Sequence, residues 1–431
     1  MSTRPLLGLR GSGTWQDGVQ PRDWNELVMY LEPNGDAPMT GMLSMLSKEQ
    51  ATDEEFSWWT KKVPDQHADV TGVYVNATLS TAYNGDAYTS GQTVYLKGAE
   101  ASIKEFRVGH LVRFEKKTDA RGVVAGKVTS RHIDGASSYI AVRLTKDANS
   151  TYDLETFNYV LVTGNSNAQG ATIPQGISYE PVKYTNNTTI VRTPLSITRT
   201  MRKTRLRVGS AYADMKKEAA LIHAIEREKN YLYGVKWSGI GDNGQPETQS
   251  DGLITAINNH APATNVDDFR YNADFTGDTW LASGEEWIDA KLRDIFRYGS
   301  KEKMAWAGAI ALSAINDLVK SGGNFDFTPS TAEYGIQVMS WRTTHGVLHM
   351  KTHPLFSWHP TNTYDLAIFE PKMLGRKYID DTMFIADPED RVNRNRSMDG
   401  TEEEFITEDG LTYGHVETMG MLKGLGVDNA L

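Results

Sequence analysis

The spacing of apolar side chains changes along this chain from the period of a β-strand to the period of an α-helix. Between about residues 70 and 165, six short runs alternate apolar and polar side chains, with the tight-turn dipeptides Asn84-Gly85 and Asp134-Gly135 between them. From about residue 210 to residue 233, apolar side chains recur at helical spacing, and Gly234 indicates where that helix ends. Strands and helices segregated in this way predict an α+β fold.

The helix predicted over residues 210–233 is long for a globular domain, since 1.5 Å per residue gives about 36 Å. The opposite side of this helix is charged, so we expect a spine on the surface of its domain. Its apolar stripe comprises Ala211, Met215, Ala219, Ile222, Ile225 and Leu232.

The first 65 residues predict an extended arm. Its large apolar side chains stand among polar residues and are too few to form a core of their own, so they must be buried elsewhere. We expect the arm to lie over another domain or another subunit, anchored by Leu31, Met42, Leu46, Trp58 and Trp59.

Residues 166–208 are polar and rich in Asn and Thr, and residues 188–192 and 195–200 alternate well enough for two strands. We expect a long hairpin with little core of its own. Further on, Ser283 and Glu286 have the spacing of a capping box at a helix start. Residues 334–353 and 404–415 predict two more hairpins, the second turning at Asp409-Gly410.

Composition excludes several classes of protein. The chain contains no cysteine among its 431 residues, which rules out disulfides, thiolate zinc sites and cysteine nucleophiles. Its net charge of −10 disfavours a nucleic-acid reader with a broad basic face. No run approaches the roughly 18 apolar residues of a membrane span, and residues 1–20 lack the apolar stretch of a secretory signal. We therefore expect a soluble product of a cytoplasm, with two or three domains.

Residues 239–244 have the glycine spacing of a dinucleotide-binding loop. That motif works between a strand and a helix, whereas here it follows a helix and runs into a loop. His345, His349 and His353 lie four residues apart in a segment that reads as strand, so neighbours would be about 13 Å apart and could not share one ion. We expect a solvated or partner-facing strand edge there, and no catalytic, cofactor or metal site in the chain.

Charge is distributed unevenly. Residues 181–213 contain no acid, whereas residues 380–409 contain eleven acids against three arginines. Two such segments on one chain are complementary and suit head-to-tail contacts between copies, although two ordinary solvated faces would give the same pattern. The seven bases of the first segment are Lys183, Arg192, Arg199, Arg202, Lys203, Arg205 and Arg207.

Taken in order, these parts resemble the major capsid proteins of tailed bacteriophages with the Hong Kong 97-type fold. The resemblance covers most of the chain and lies in the arm at residues 31–38 and 56–58, the end of the long helix at residues 225–234, and residues 334–338, 353–355 and 364–369. No single motif is decisive, because the order of the parts carries the likeness.

The resemblance implies an α+β capsid fold with an N-terminal arm, an extended loop, a peripheral domain with a long spine helix, an axial domain and an inserted small all-β module. The six cations from Arg192 to Arg207 would then lie in the extended loop and contact a neighbouring subunit. The implied segments are the arm at 1–65, the β-rich module at 66–165, the extended loop at 166–208, the peripheral domain at 209–254 and 376–431, and the axial domain at 255–375.

The implied function is structural rather than enzymatic. Copies of the chain would assemble into hexamers and pentamers of an icosahedral phage head around double-stranded DNA, without sequence-specific DNA contacts and without a membrane. Portal, scaffold and decoration proteins are further candidate partners, and assembly would take place in the host cytoplasm before the shell becomes part of the virion. Another virion component, such as a tail or decoration protein, and a carbohydrate-active enzyme remain as alternatives.

Overall fold

The computed structural model describes most of the chain beyond residue 36. Leu31, one of the predicted arm anchors, therefore lies outside the described residues. The described part comprises residues 37–431 without residues 64–65, 86–87, 117–118, 149–153, 155–156, 175, 205–209, 323–326, 332–336 and 388–399.

Eight α-helices are present in this described part. They are α1 (Pro38–Met45), α2 (Glu100–Ile103), α3 (Arg199–Lys203), α4 (Ala211–Tyr233), α5 (Leu253–His260), α6 (Trp280–Ile295), α7 (Ala309–Gly322) and α8 (Pro354–Trp358). None of these helices has both the length and the apolar character needed to cross a membrane.

The same residues contain twenty-one strands. The first ten are β1 (Lys48–Gln50), β2 (Glu55–Thr60), β3 (His67–Tyr74), β4 (Thr93–Gly98), β5 (His110–Lys116), β6 (Asp119–His132), β7 (Tyr139–Leu144), β8 (Tyr159–Asn165), β9 (Val182–Asn187) and β10 (Thr189–Thr198). The others are β11 (Trp237–Ile240), β12 (Pro246–Gln249), β13 (Val266–Asp268), β14 (Glu302–Ala307), β15 (Phe327–Thr331), β16 (Gln337–Arg342), β17 (Val347–Thr352), β18 (Leu366–Phe369), β19 (Leu374–Ile385), β20 (Gly400–Tyr413) and β21 (Gly420–Lys423).

The chain divides into two compact units, and the second consists of residues 59–182. That unit is a closed antiparallel barrel with the strand order β3-β4-β7-β6-β5-β8. All six runs of alternating residues predicted from the sequence overlap these strands. The barrel interior is apolar, with Phe106, Phe114, Val142 and Val160 at most 1% exposed. Gly126 permits close strand approach, because a Cβ there would lie 2.3 Å from the Val142 side chain.

The first unit contains the remaining described residues, up to Trp58 and from Lys183 onward. Its larger sheet has seven strands in the order β13-β21-β18-β14-β17-β16-β15, and a second sheet has the order β1-β19-β20-β10. The antiparallel pair β16–β17 confirms the hairpin predicted over residues 334–353, and strand β18 is buried along its whole length. Two apolar clusters fill this unit, one around Trp306 and Phe369 and one around Trp287 and Phe296. The chain is therefore a mixed α+β protein.

Helix α4 confirms the predicted helix in position and length, and Ala211, Ala219 and Leu232 of the predicted stripe are buried, but the rest of the inward face differs from that stripe. Ile222 is 41% exposed, whereas the face turned inward carries polar side chains. Its buried members are Ala211, Ala219, His223, Arg227, Glu228, Tyr231 and Leu232. Burial of charged groups requires partners, and these are found on β10, β19, β20 and α1, as described below.

The hairpin expected within residues 188–200 is wrong. Residues 189–198 form one strand, β10, which pairs along its whole length with β20, and residues 199–200 begin α3. Pro194 interrupts the local pattern, but β10 lies at the edge of its sheet, where a residue without an N–H is tolerated.

The hairpin expected at residues 404–415 is also wrong, because β20 runs through Asp409-Gly410 without turning. A Cβ at Gly410 would lie 2.4 Å from the Asn187 carbonyl oxygen and 2.9 Å from the Phe56 ring. The glycine therefore serves close packing rather than a turn.

The capping box expected at Ser283 is wrong as well. Helix α6 begins earlier, after Thr279, so that Ser283 lies within its first turns. The Ser283 hydroxyl donates instead to Asp278 Oδ2 at 2.5 Å.

Candidate functional site

The N-terminal helix α1 is fixed to the spine helix α4 by one carboxylate. Glu228 Oε1 accepts from the backbone N–H of Met39 at 2.7 Å, and Oε2 accepts from the N–H of Thr40 at 2.6 Å. These amides belong to the first turn of α1, where they have no partner within the helix. Glu228 therefore caps α1 from a distant part of the chain. An anionic cap is favoured there by the helix dipole.

Glu228 also binds His353. His353 Nε2 lies 2.7 Å from Glu228 Oε1, and the N–H of Leu355 donates to His353 Nδ1 at 3.2 Å. Because Nδ1 accepts, the ring proton lies on Nε2 and is donated to the carboxylate. His353 in turn caps α8, so one buried pair joins α1, α4 and α8.

The expectation of a solvated strand edge is wrong for His353, which is fully buried. His349 contacts Ser340, with Oγ and Nδ1 2.9 Å apart, and His345 lies 3.3 Å from Asp289. The three histidines thus have three different partners.

The predicted arm anchors lie in different environments. Met42 is fully buried against α4, Leu46 is half-buried beside it, and the Trp58 Nε1–H donates to the Tyr413 carbonyl at 2.6 Å. Trp59 is 60% exposed. Three of the anchors therefore pack within their own chain, and among the described anchors Trp59 has the surface area that a neighbour could cover. Their assignment to a contact between subunits stays a prediction.

A second buried ionic cluster joins α4 to the β19–β20 ladder. Asp409 Oδ2 accepts from Arg227 Nη2 at 2.8 Å and from Arg376 Nη1 at 3.2 Å, and it also accepts from the Tyr231 hydroxyl. Asp409 is 1% exposed. A buried carboxylate between two guanidinium groups is stable only while all partners remain, so this cluster fixes the spine to its sheet.

Arg376 extends this cluster to Asp381, whose Oδ1 accepts from Arg376 Nη2 at 2.7 Å. Burial opposes the ionisation of Asp381, but the Thr382 N–H and the Arg376 guanidinium outweigh it and lower the pKa to about 2. His223 Nδ1 lies 3.0 Å from Thr193 Oγ1, and its Nε2 lies 2.8 Å from Thr407 Oγ1. Burial lowers the pKa of His223, and so does Arg227 nearby.

Part of the charge complementarity seen in the sequence is used within one chain. Arg192 on β10 donates to both carboxylate oxygens of Glu404 on β20, at 2.7 and 2.6 Å. The Arg202 guanidinium lies 4.9 Å from the centre of the Tyr212 ring, and the Tyr212 hydroxyl donates to Glu403 at 2.6 Å. The basic segment therefore contacts the acidic strand of its own subunit.

The remaining bases of the segment are placed differently. Lys203 ends α3 with its side chain exposed, and Arg199 begins that helix. Arg205 and Arg207 lie outside the described residues. A contact between this segment and a neighbouring subunit stays a prediction.

Residues 239–244 form the end of a β-hairpin rather than a phosphate-binding loop. Strand β11 enters the motif and β12 leaves it, and Gly244 has a φ of 76°. Trp237 and Ile240 on β11 are 44% and 77% exposed, and Val235, which precedes this strand, is 60% exposed.

The buried Asp365 and Lys303 have strongly shifted pKa values, and both accept from or donate to the backbone. Burial raises the pKa of Asp365 to about 6, although the Gly424 N–H donates to it at 3.4 Å. Burial lowers the pKa of Lys303 to about 8, and its ammonium donates to the carbonyls of Tyr298 and Thr418 at 3.0 and 2.6 Å. Neither group lines a described cavity.

A groove of about 550 Å³ lies between α6 and α7. Its apolar lining includes Ile288, Leu292 and Ile315, and Glu285 and Asp289 lie along it. Over the described residues, no three His, Asp or Glu side chains converge in a geometry that would hold a metal ion. The groove thus offers apolar packing with an acidic border.

Comparison with known proteins gives the family. The model for the SU10 major capsid protein matches residues 12–426. The major capsid protein of Pseudomonas phage PaMx41 is 24% identical over 358 residues, which cover 80% of this chain and 77% of that protein.

Solved capsids are more distant. The capsid of an empty GTA particle covers 96% of this chain and 99% of its own at 10% identity, with a TM-score of 0.45. The asymmetric unit of the bacteriophage PhiM1 mature capsid covers 61% and 78% at 14% identity, with a TM-score of 0.40. The family model, in contrast, spans nearly the whole sequence. This chain therefore belongs to the SU10 major capsid protein family.

Proposed function

We propose that this chain builds the shell of a tailed-phage head by assembling with copies of itself into hexamers and pentamers around double-stranded DNA. The observation that carries the proposal is the exposure of large apolar side chains on β11 and directly before it. Val235, Trp237 and Ile240 lie within six residues and are all exposed, although the chain buries three separate apolar cores. Large apolar side chains that stay exposed beside well-filled cores favour a protein interface.

We further propose that the fold is of the Hong Kong 97 type, with the segments stated above. Helix α4 would be the spine of the peripheral domain, which its hydrogen bonds to β10 and β20 support. The barrel would be the inserted module, which its separation as a compact unit supports. The sheet containing β14, β17 and β18 would belong to the axial domain. The extended loop would comprise residues 166–208.

The arm would have two parts with different tasks. Residues 38–45 are held by Glu228 and by the core of their own chain, so they would fix the arm to its subunit. Contacts with a neighbour would then come from residues 1–36 and from Trp59. A deletion that tests the arm in assembly should therefore end at residue 36, because a longer one removes buried Met39, Met42 and Leu43.

The shell would form in the host cytoplasm and become part of the virion. Portal, scaffold and decoration proteins would be further partners, and packaged DNA would be contacted without reading its sequence. The net charge of −10 supports a lining that repels DNA rather than binding it.

Light scattering and negative-stain microscopy of the purified chain, across protein and salt concentration, test the proposal. We expect rings of five and six subunits or closed shells, and we expect Trp237→Ser/Ile240→Ser to reduce their yield. Leu281→Ser is the matched control, since Leu281 is also an exposed apolar residue of the first unit. Tubes or trimers would point to another virion component. A 48.0 kDa monomer under every condition, also when expressed in cells with the other head proteins, would contradict the proposal.

A further inference from the structure

The outer face of the barrel carries cations that have no carboxylate partner. Lys127 on β6 lies directly opposite Arg143 on β7, and Arg143 lies opposite Thr93 on β4. Lys97 on the same face of β4 lies opposite Tyr139. In the part of the chain that the structure describes, no acid pairs with Lys97, Lys127 or Arg143.

The pairing of Lys127 with Arg143 is unfavourable for the barrel itself. Cross-strand partners have Cβ atoms about 5 Å apart, and like charges in that position destabilise a sheet. Strands β4 and β7 contain no acid, and β6 contains none from Gly126 onward. A pair of side chains that destabilises the fold is expected where those side chains bind another molecule.

Aromatic rings lie among these cations. The Tyr95 and Tyr139 ring centres are 5.5 Å apart, and His132 stacks on Tyr139 at 5.1 Å. Tyr95 and Tyr139 are half-buried, so each ring keeps an accessible side. Tyr and Arg are the residue types enriched at the centres of protein interfaces. We call Lys97, Lys127, Arg143, Tyr95 and Tyr139 the basic aromatic face.

The charge of the chain indicates what this face would bind. Residues 59–182 contain 13 Lys and Arg against 12 Asp and Glu, so this unit has a net charge of +1. The rest of the chain has 32 against 43, a net charge of −11. Every copy therefore has a barrel without excess acid and a strongly acidic first unit. In an assembly of copies, the barrel of one copy and the acidic units of others are present at high local concentration.

We propose that the basic aromatic face of one copy binds an acidic surface on the first unit of a second copy. This inference rests on the proposed self-assembly. Carboxylates of the second copy would pair with Arg143 and the two lysines through charge-assisted hydrogen bonds, and they would relieve the repulsion between Lys127 and Arg143. The tyrosine rings would supply the apolar part of the contact.

Lys127→Glu tests the face, because it separates folding from assembly. The substitution replaces a like-charge pair with an ion pair to Arg143, so we expect the thermal midpoint to stay or rise. It also removes the cationic surface, so we expect the yield of rings and shells to fall about tenfold or more. Lys127→Arg keeps the charge and should assemble normally. Lys61→Glu, an exposed lysine of the same unit with the same change in charge, should assemble like wild type.

Equal yields for Lys127→Glu and wild type would overturn the proposal. Binding of labelled double-stranded DNA by the wild-type chain, lost in Lys127→Glu, would assign the face to nucleic acid and overturn it too. Sedimentation of both chains below shell-forming concentration separates this inference from the function it rests on. Salt-sensitive self-association that Lys127→Glu abolishes would support the face even if no shells form, whereas equal association would contradict it.

Discussion

His353 Nε2 lies 2.7 Å from Glu228 Oε1 where neither side chain is more than 2% exposed. The same carboxylate accepts from the first-turn amides of α1 and from the Thr40 hydroxyl. A histidine proton and the end of a helix dipole therefore stabilise one negative charge in the interior. The pair makes the position of α1 depend on α4.

Glu228→Gln should destabilise the folded chain by about 2–4 kcal/mol. The backbone N–H groups of α1 and the His353 ring N–H now share two carboxylate oxygens, whereas a glutamine side chain would offer them only one acceptor oxygen. Urea unfolding followed by tryptophan fluorescence measures the loss. Glu218→Gln is the control, since Glu218 is an exposed carboxylate on the same helix. If both variants stay within about 0.5 kcal/mol of wild type, Glu228 does not fix α1.

Asp409→Asn should be at least as damaging, because it leaves the buried Arg227 and Arg376 without their shared anion. Breaking a buried ion pair by removing one partner costs about 3–5 kcal/mol. Limited proteolysis should then cut near α4, where the helix loses its attachment to β20. Glu402→Gln, an exposed position on the same strand, is the matched control and should unfold like wild type. Wild-type protease resistance in Asp409→Asn would contradict the role given to the cluster.

Ionisation of Asp365 should make the chain less stable as the pH rises. Burial raises its pKa from the ordinary 3.8 to about 6, so the folded chain holds this proton more tightly than the unfolded chain does. The stabilisation is fully present below about pH 4 and is lost as the pH rises through about 6. The difference corresponds to roughly 2–3 kcal/mol.

Asp365→Asn removes this titration and should flatten the dependence of unfolding free energy on pH between about 4 and 7. At pH 8 the variant should be more stable than wild type, while near pH 4 the two should be similar. Denaturant unfolding at several pH values checks this. Parallel curves for the two proteins would show that Asp365 ionises as it does in the unfolded chain.

Elements with a strong local period were predictable from the sequence. The positions of helix α4 and of the barrel strands match the spacing of apolar side chains in the sequence. That spacing reflects which side chains are buried away from water. Two hairpins were predicted wrongly, because the glycine and the proline that indicated their turns are present for a different structural reason. Gly410 follows an aspartate as a turn glycine would, but it is required by the approach of Asn187 and Phe56. Pro194 divides a run of alternating residues, yet an edge strand accommodates it.

The polar interior was missed for a different reason. Arg227 and Glu228 follow one another on α4 as they would on a solvated face, and sequence alone gives no partner for either. Their partners, Asp409 and His353, lie 182 and 125 residues away. Burial of a charge is decided by such distant contacts, so local periodicity found the buried Ala211, Ala219 and Leu232 but missed the charged residues beside them.

The basic segment remains the predicted contact with a neighbouring subunit, and Lys203 is its cleanest probe. Arg192 is paired with Glu404 and Arg202 lies over Tyr212, so changing either disturbs the subunit itself. Lys203 is exposed at the end of α3. Lys203→Glu should leave the thermal midpoint of the isolated chain unchanged, since isolated surface changes have little effect on folding.

The same substitution should lower particle yield several-fold and let particles dissociate at lower salt, because each contact between copies would gain a repulsion. Light scattering through a salt titration measures both effects. Lys372→Glu makes the same charge change at another exposed lysine and should behave like wild type. Unchanged yield and salt stability in Lys203→Glu would mean that the basic segment contacts only β20 of its own chain. Other surfaces would then join the subunits.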